Sequence, residues 1–360
     1  REGLGYDRND IAVVTNVTGD HLGLGGITSI GQLATVKGVV VEAVPRSGTA
    51  VLNADDAYVA RMARHSDGRV VFFSLSTTPG EDGWDRVDTH CGRGGAAFVL
   101  QETDEGELVT LRLGSRMMPV LYTHLIPATF GGRARMNVAN ALAAAAAAWA
   151  AGAHLHDIRQ GLRTFTTSFF QAPGRLNLLD VGGIRVVIDY CHNVDGMRQL
   201  ADFVNRMMVE PQAKRGAVAA RPLAGGARNG RAIGVIGIPG DRRDEDQREY
   251  GALAASAFDE IIVREDRNLR GRPAGESAGN VMAGIRAAGS NGASKRTNRS
   301  ETILDELHAV RVALRRAVPG DLVVACVDDS VRVYREAMSA AGGKGATAFA
   351  DPGELEAPEG

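Results

Sequence analysis

Ile184-Arg185-Val186-Val187-Ile188-Asp189-Tyr190-Cys191-His192-Asn193 joins an apolar run to a polar turn, and its reading decides the fold. Gly182-Gly183 precedes the run, whose length and apolarity predict a buried parallel strand. Beyond Asn193, Met197, Leu200, Ala201, Phe203 and Val204 recur at helical spacing. Strand, turn and helix in that order put Asp189 and His192 at a strand's carboxyl end, the edge where open α/β sheets gather ligands. Two readings stand on this segment alone. Either Asp189 accepts from ribose hydroxyls with His192 beside it, or Asp189 caps the helix and His192 is an ordinary turn residue.

The alternation extends in both directions. Residues 10–17 read as a short strand followed by the polar turn Thr18-Gly19-Asp20-His21. A helix carries Ile30, Leu33, Val36 and Lys37 towards Val39-Val40-Val41, residues 49–53 form a strand, and Asp55-Asp56 opens the next helix. From about Val70 to Leu113 the segments become shorter and more strand-like, which predicts an antiparallel patch or an insertion. Residues 137–151 are almost pure alanine, a strong helix former ending near Gly152. Asn137 and Asn140 share a face of that helix; each amide can both donate and accept, and helix capping is the other reading of Asn137. After Pro173-Gly174-Arg175 a second series follows, with strands at 232–237, 260–263 and 321–326 and helices at 241–257 and 303–317.

The expectation is an α/β chain of two domains, 1–174 and 175–341, with a flexible basic loop at 209–231 and a disordered tail at 342–360. A length of 360 residues agrees, being more than one core usually serves. Lys and Arg total 41 against 43 Asp and Glu, so charge gives no general case for nucleic acid or an anionic membrane as partner. Cys91, Cys191 and Cys326 are odd in number and far apart, which indicates neither a disulfide framework nor a thiolate metal cluster and makes a reducing cytoplasm the natural compartment. No apolar stretch is long enough to span a bilayer, and no signal-peptide pattern opens the chain. It begins with Arg1 rather than Met, which points to a fragment, a processed chain or an incomplete gene model.

An ordered set of motifs resembles the Mur ligases: Thr15-Asn16-Val17 with Asp20-His21-Leu22, then Lys37, Leu52-Asn53-Ala54-Asp55-Asp56, Asn137-Val138-Ala139-Asn140-Ala141, Pro173-Gly174-Arg175 and Asp189-Tyr190-Cys191-His192-Asn193. Gly240-Asp241-Arg242-Arg243-Asp244-Glu245-Asp246, Arg264-Glu265-Asp266 and Leu269-Arg270-Gly271-Arg272 narrow the resemblance to the Mur ligase-like portion of the cyanophycin synthetase family. The likeness extends to about Met338, apart from the loop. It implies an incomplete Mur ligase central domain followed by a Rossmann-like, doubly wound Mur ligase C-terminal domain. The implied activity is ATP-dependent amide ligation, in which a carboxylate takes the γ-phosphoryl group and an amine displaces phosphate.

Residue roles follow from the resemblance. It makes His21 a ligand of Mg2+ with Asn16 beside it. Lys37 falls where many relatives carry a carbamylated lysine that holds a second magnesium; unmodified, it could neutralise phosphate or simply face solvent. Asn137 and Asn140 would meet the adenine of ATP, Arg175 its phosphates and Asp189 its ribose, with His192 a catalytic candidate lining the same pocket between the domains. The implied partners are the cyanophycin polymer and arginine, in a homo-oligomer of a longer parent chain. Asp244, Glu265 or Asp266 are expected near the incoming arginine.

One departure limits the expected activity. The family's Gly-rich phosphate loop, ending in Lys followed by Ser or Thr, does not occur; Gly342-Gly343-Lys344-Gly345 lacks the spacing, the hydroxyl and the preceding strand. The acidic segment that follows that loop is missing too. In the family these parts and an ATP-grasp domain precede the point matching Arg1, so the chain alone is expected not to ligate. The alternatives are another Mur-type ligase, such as a folylpolyglutamate synthetase relative, and a non-catalytic cyanophycin-binding module.

Overall fold

The computed structural model describes residues 4–20, 22, 25–209, 230–290, 296–340 and 347–348. His21, most of the 209–231 loop and most of the tail lie outside the described residues. The chain divides into two compact units, the first ending at Phe165 and the second beginning at Thr166.

The first unit is built on a six-stranded sheet in the order β1 (Ile11–Val14), β2 (Thr49–Asn53), β3 (Arg69–Ser74), β4 (Ala96–Thr103), β5 (Gly106–Leu113) and β6 (Arg116–Tyr122). β1 to β4 are parallel, and β4 to β6 form an antiparallel meander. The antiparallel patch thus begins at Ala96 rather than Val70, because β3 is a parallel strand and a helix separates it from β4. Helices α1 (Ile30–Glu42), α2 (Ala57–Arg61) and α3 (Asp82–Gly92) cover one face. Helices α4 (Arg135–Ala150) and α5 (Leu155–Thr164) cover the other. α1 opens on a capping box between Ser29 and Gln32. The alanines of α4 let its backbone lie close over the sheet, where Leu142 and Ala146 are fully buried.

The second unit has a seven-stranded sheet formed by β7 (Asn177–Val181), β8 (Ile184–Asp189), β9 (Ala232–Ile236), β10 (Glu260–Val263), β11 (Arg299–Thr302), β12 (Leu322–Cys326) and β13 (Thr347–Ala348). Its order is β11-β10-β9-β12-β8-β7-β13. The five strands from β11 to β8 are parallel, while β7 and β13 join antiparallel. Val186, Val187 and Ile188 are fully buried, as a strand covered on both faces requires. The remaining helices are α6 (Val194–Met208), α7 (Asp244–Ala255), α8 (Glu276–Ser290), α9 (Glu306–Arg316) and α10 (Ser330–Ala340). α9 and α10 pack on one sheet face. The chain is therefore α/β throughout, with two sheets dominated by parallel pairing.

α7 and α8 approach so closely that a Cβ at Gly251 would run into the Val281 carbonyl. Helix propensity alone favours alanine over glycine by about 1 kcal/mol. The clash opposes it with a packing cost of about 1–3 kcal/mol. Gly251→Ala is expected to lower the urea midpoint of unfolding; a raised midpoint would mean that propensity outweighs the close packing.

Candidate functional site

In the first unit the motif at 52–56 fixes the turn that follows β1. Asn53 Nδ2 donates to the Thr15 carbonyl at 2.8 Å, and the Val17 N–H donates to Asp56 Oδ2 at 2.7 Å. The other Asp56 oxygen caps α2 by accepting from Tyr58 and Val59. Asp55 accepts from the Ser74 and Ser76 hydroxyls at 2.5 and 2.8 Å and from the Leu75 N–H at 2.7 Å. The ends of β1, β2 and β3 are joined in this way, and Asn16 stands exposed between two pinned neighbours. Lys37 is half-buried on α1.

Asn137 is not a helix cap, since α4 starts at Arg135 with Ala134 before it. Its Nδ2 donates to the Ala128 carbonyl at 2.7 Å, and its Oδ1 accepts from Asn140 Nδ2 at 3.2 Å. Asn137 thus ties the helix to the preceding turn and orients the exposed Asn140. Among the described residues, no three His, Cys, Asp or Glu are grouped to hold a metal ion.

In the second unit Asp189 ends β8, and Asn193, not Asp189, caps α6 through the Gly196 N–H. Asp189 instead accepts from the Leu176 N–H at 2.9 Å. Burial pushes its pKa up to about 6, against the lowering pull of the Leu176 hydrogen bond, the Arg175 charge and the Cys191 N–H. Arg175 is exposed, with its guanidinium 5.5 Å from the centre of the Tyr190 ring. His192 packs on the same ring, and its Nδ1 lies 2.9 Å from the Tyr190 carbonyl. From α7 the buried Tyr250 hydroxyl donates to the Cys191 carbonyl at 3.1 Å and supports the turn. Arg175, Asp189 and His192 therefore share one strand-end cluster.

Sequence reading gave no role to Asn177, which is fully buried. Its Nδ2 donates to the Thr167 and Ala172 carbonyls, both at 2.8 Å, and its Oδ1 accepts from the Gly174 N–H at 2.6 Å. This one amide shapes the turn that presents Arg175. A polar residue in phase with the buried Leu179 and Val181 of the same strand was the available signal.

A cavity of about 320 Å³ lies at the carboxyl edge of the same sheet, lined by Glu265, Arg267, Glu306, Asp328, Asp329 and Val331 among others. Its walls are fixed by the buried Arg264. The guanidinium donates twice to the Cys326 carbonyl, at 3.0 and 2.9 Å, pairs with Asp266 and lies 3.5 Å from Glu306. Burial alone would lower its pKa, but Asp266 and Glu306 reverse the sign and hold the charge. Glu306 also accepts from the Asp328 and Asp329 N–H groups at 2.7 and 3.1 Å. Glu265 caps the start of α8 by accepting from Gly275 and Ala278. Asp328 is exposed; Asp329 Oδ1 accepts from the Arg332 N–H at 3.1 Å at the start of α10, and its other oxygen lies 3.8 Å from Arg267. Four carboxylates thus face one guanidinium in the lining. Of the three acidic residues singled out in the sequence, Glu265 lines the cavity, Asp266 pairs with Arg264, and Asp244 pairs with Arg272 at 2.8 Å.

Residues 5–148 match the family model described as Mur ligase middle domain, and residues 174–326 match that of Mur ligase, glutamate ligase domain. The chain belongs to the Mur ligase family. Within that family it resembles the Mur ligase-like portion of cyanophycin synthetase. It is 41% identical over 324 residues to cyanophycin synthetase of Synechocystis sp., covering 90% of this chain and 33% of the relative. Identity to the UDP-N-acetylmuramoyl-L-alanyl-D-glutamate--2,6-diaminopimelate ligase of Gloeobacter violaceus is 29% over 320 residues, 88% of this chain and 53% of that one. The chain spans about a third of the length of the cyanophycin synthetases it matches. MurF from Acinetobacter baumannii shares the fold with a TM-score of 0.58 at 16% identity, covering 92% of this chain and 60% of that one. E. coli FolC in complex with DHPP and ADP does so with a TM-score of 0.58 at 17% identity, covering 92% and 62%.

The Asp189 carboxyl supplies a pH test. Its folded pKa of about 6 lies above the ordinary 3.8, so the native state holds an extra proton between those values and loses stability as pH rises through them. One pKa unit corresponds to about 1.4 kcal/mol, and half-burial brings the cost above pH 6 to on the order of 1–2 kcal/mol. Asp189→Asn retains an acceptor for the Leu176 N–H. Denaturant unfolding from pH 4 to 8 should show the variant with the flatter profile and the greater stability at pH 8. Parallel profiles would show that this carboxylate is not destabilised by burial.

Proposed function

We propose that the chain is the arginine-adding portion of a ligase that builds cyanophycin. A side-chain carboxylate of an aspartate polymer takes the γ-phosphoryl group of ATP, releasing ADP. The α-amino group of arginine then attacks the acyl carbon; phosphate leaves, and the nitrogen gives up its proton as the amide forms.

The acidic cavity carries this reading. Arginine brings one guanidinium, one carboxylate and an amine, and a lining of four carboxylates with Arg267 complements that set. In this role Asp328 and Asp329 receive the guanidinium, and Arg267 meets the carboxylate. A glutamate, with its second carboxylate, would face net repulsion there. A volume of about 320 Å³ suits one amino acid rather than a polymer segment.

The nucleotide roles rest on the family resemblance. Asn140, positioned by Asn137, would meet adenine; Arg175 would meet phosphate; Asp189 would accept from ribose hydroxyls, with His192 held beside it. Structures of this fold bound to AMPPNP and Mn ion, and to DHPP and ADP, support a nucleotide role. Asn16 and Lys37 are assigned to the phosphate side. Magnesium, when bound, neutralises phosphate charge. By the family resemblance His21 would be its ligand.

Phosphate release with ATP and a cyanophycin primer tests the reading. Release by a longer polypeptide that contains this chain together with a phosphate loop is expected to depend on arginine and to fall by roughly tenfold or more with glutamate. Glutamate-supported release would overturn the substrate assignment.

A further inference from the structure

The ligation written above leaves one proton without an acceptor. In neutral solution the α-amino group of an amino acid is largely an ammonium, which has no lone pair for attack on an acyl carbon. One proton must therefore be taken from the nitrogen before the amide can form. In the strand-end cluster Arg175 has no lone pair to offer, and Asp189 accepts from the Leu176 N–H and is assigned to ribose. Asp328 and Asp329 serve the guanidinium in the same reading. His192 is the member of the cluster that has no task in the reaction.

Its geometry sets the tautomer that a base needs. His192 Nδ1 lies 2.9 Å from the Tyr190 carbonyl, and a carbonyl only accepts. The neutral ring therefore carries its hydrogen on Nδ1 and its lone pair on Nε2. The ring is further oriented by the Tyr190 side chain, with centres 4.7 Å apart and planes tilted by 43°. The turn is also tied to the acidic cavity. β8 and β12 are neighbours, and the Val327 N–H donates to the Asp189 carbonyl at 2.8 Å, directly before Asp328 and Asp329. The Tyr190 N–H donates to the Gly174 carbonyl at 2.9 Å, and a Cβ on Gly174 would lie 3.2 Å from the side chain of Ser330, which lines the cavity. Backbone contacts thus join the turn bearing His192 to the turn assigned to arginine.

We infer that His192 is the general base of amide formation, its Nε2 taking a proton from the α-ammonium of the incoming arginine. The inference rests on the cyanophycin reading and supplies the acceptor that reading lacks. The neutral amine then attacks the acyl carbon, and the bond from that carbon to the phosphate oxygen breaks. The second proton on the nitrogen leaves with the phosphate, and the imidazolium returns its own to water, which reaches the half-buried ring.

A comparison of two amines tests this in the longer polypeptide that includes a phosphate loop, given ATP and a cyanophycin primer. Arginine needs a base. Hydroxylamine is already neutral at pH 7 and traps the acyl phosphate as a hydroxamate without one. His192→Asn keeps a side-chain N–H for the Tyr190 carbonyl, so the turn should hold. Its kcat with arginine should fall about a hundredfold or more, while the loss of hydroxamate formation should shrink to a few-fold. Hydroxamate formation also reports that the variant is folded and still makes the acyl phosphate. An equal loss with both amines, a loss seen only in the KM for ATP, or an arginine rate within about threefold of wild type would each overturn the inference. Those outcomes leave arginine-dependent release by the wild type standing. If glutamate in place of arginine supports release, the substrate assignment fails, and glutamate against hydroxylamine tests His192 in the same way.

Discussion

The guanidinium of Arg264, 3% exposed, is the constraint on which the second unit's working edge depends. A buried charge is tolerated only when its hydrogen bonds and counter-charges are all supplied. Here Cys326 at the end of β12 supplies a carbonyl, Asp266 after β10 supplies a carboxylate, and Glu306 at the start of α9 supplies a second. Room for the group is made at the end of β9, where a Cβ on Gly237 would lie 2.8 Å from both Arg264 Nε and the Arg264 carbonyl. Three strand ends and one helix start are therefore positioned by a single side chain. Removing it would leave the buried Asp266 without its cation and Glu306 with only the Asp328 and Asp329 N–H groups.

The chemistry of the cavity follows from that arrangement. Arg264 pairs with Asp266 and Glu306, so the negative character available to a ligand comes chiefly from Asp328 and from the Asp329 oxygen that does not accept from the Arg332 N–H. Glu306 orients both by accepting from their backbone N–H groups. The first unit solves the same problem without a buried cation. Asp55 and Asp56 gather hydroxyls and N–H groups at the ends of β1 to β3, and this local satisfaction holds the turn bearing Asn16. In both units the polar residues just past the strands make the edge rigid, and a few of them remain for a ligand.

Much of this was legible in the sequence because strand-ending polar residues interrupt continuous apolar runs. β8, β9, β10 and β12 could be read from such runs, and so could the importance of Asp189 and its turn. α3 was missed because only Gly83, Val87 and Cys91 of its residues are buried, too thin a stripe to stand out. The turn after Cys326 that carries Asp328 and Asp329 repeats the strand-and-turn pattern at Asp189, but no motif in the sequence marks it. Arg264, Glu265 and Asp266 were visible as a charged run, but the place of Arg264 depends on contacts with residues 42 and 62 positions away. The role of Asn177 was harder to read for a related reason: its partners are backbone groups, which leave no trace in side-chain pattern.

The central claim is that the carboxyl edge of the second sheet holds a cation-selective amino-acid site set by Asp328 and Asp329. Direct binding of L-arginine compared with L-citrulline tests it most directly, because the two differ chiefly in the charge on the terminal group. Arginine should bind at least about tenfold more tightly, with the difference shrinking as salt is raised. Equal affinity for the two, or a preference for citrulline, would contradict the account.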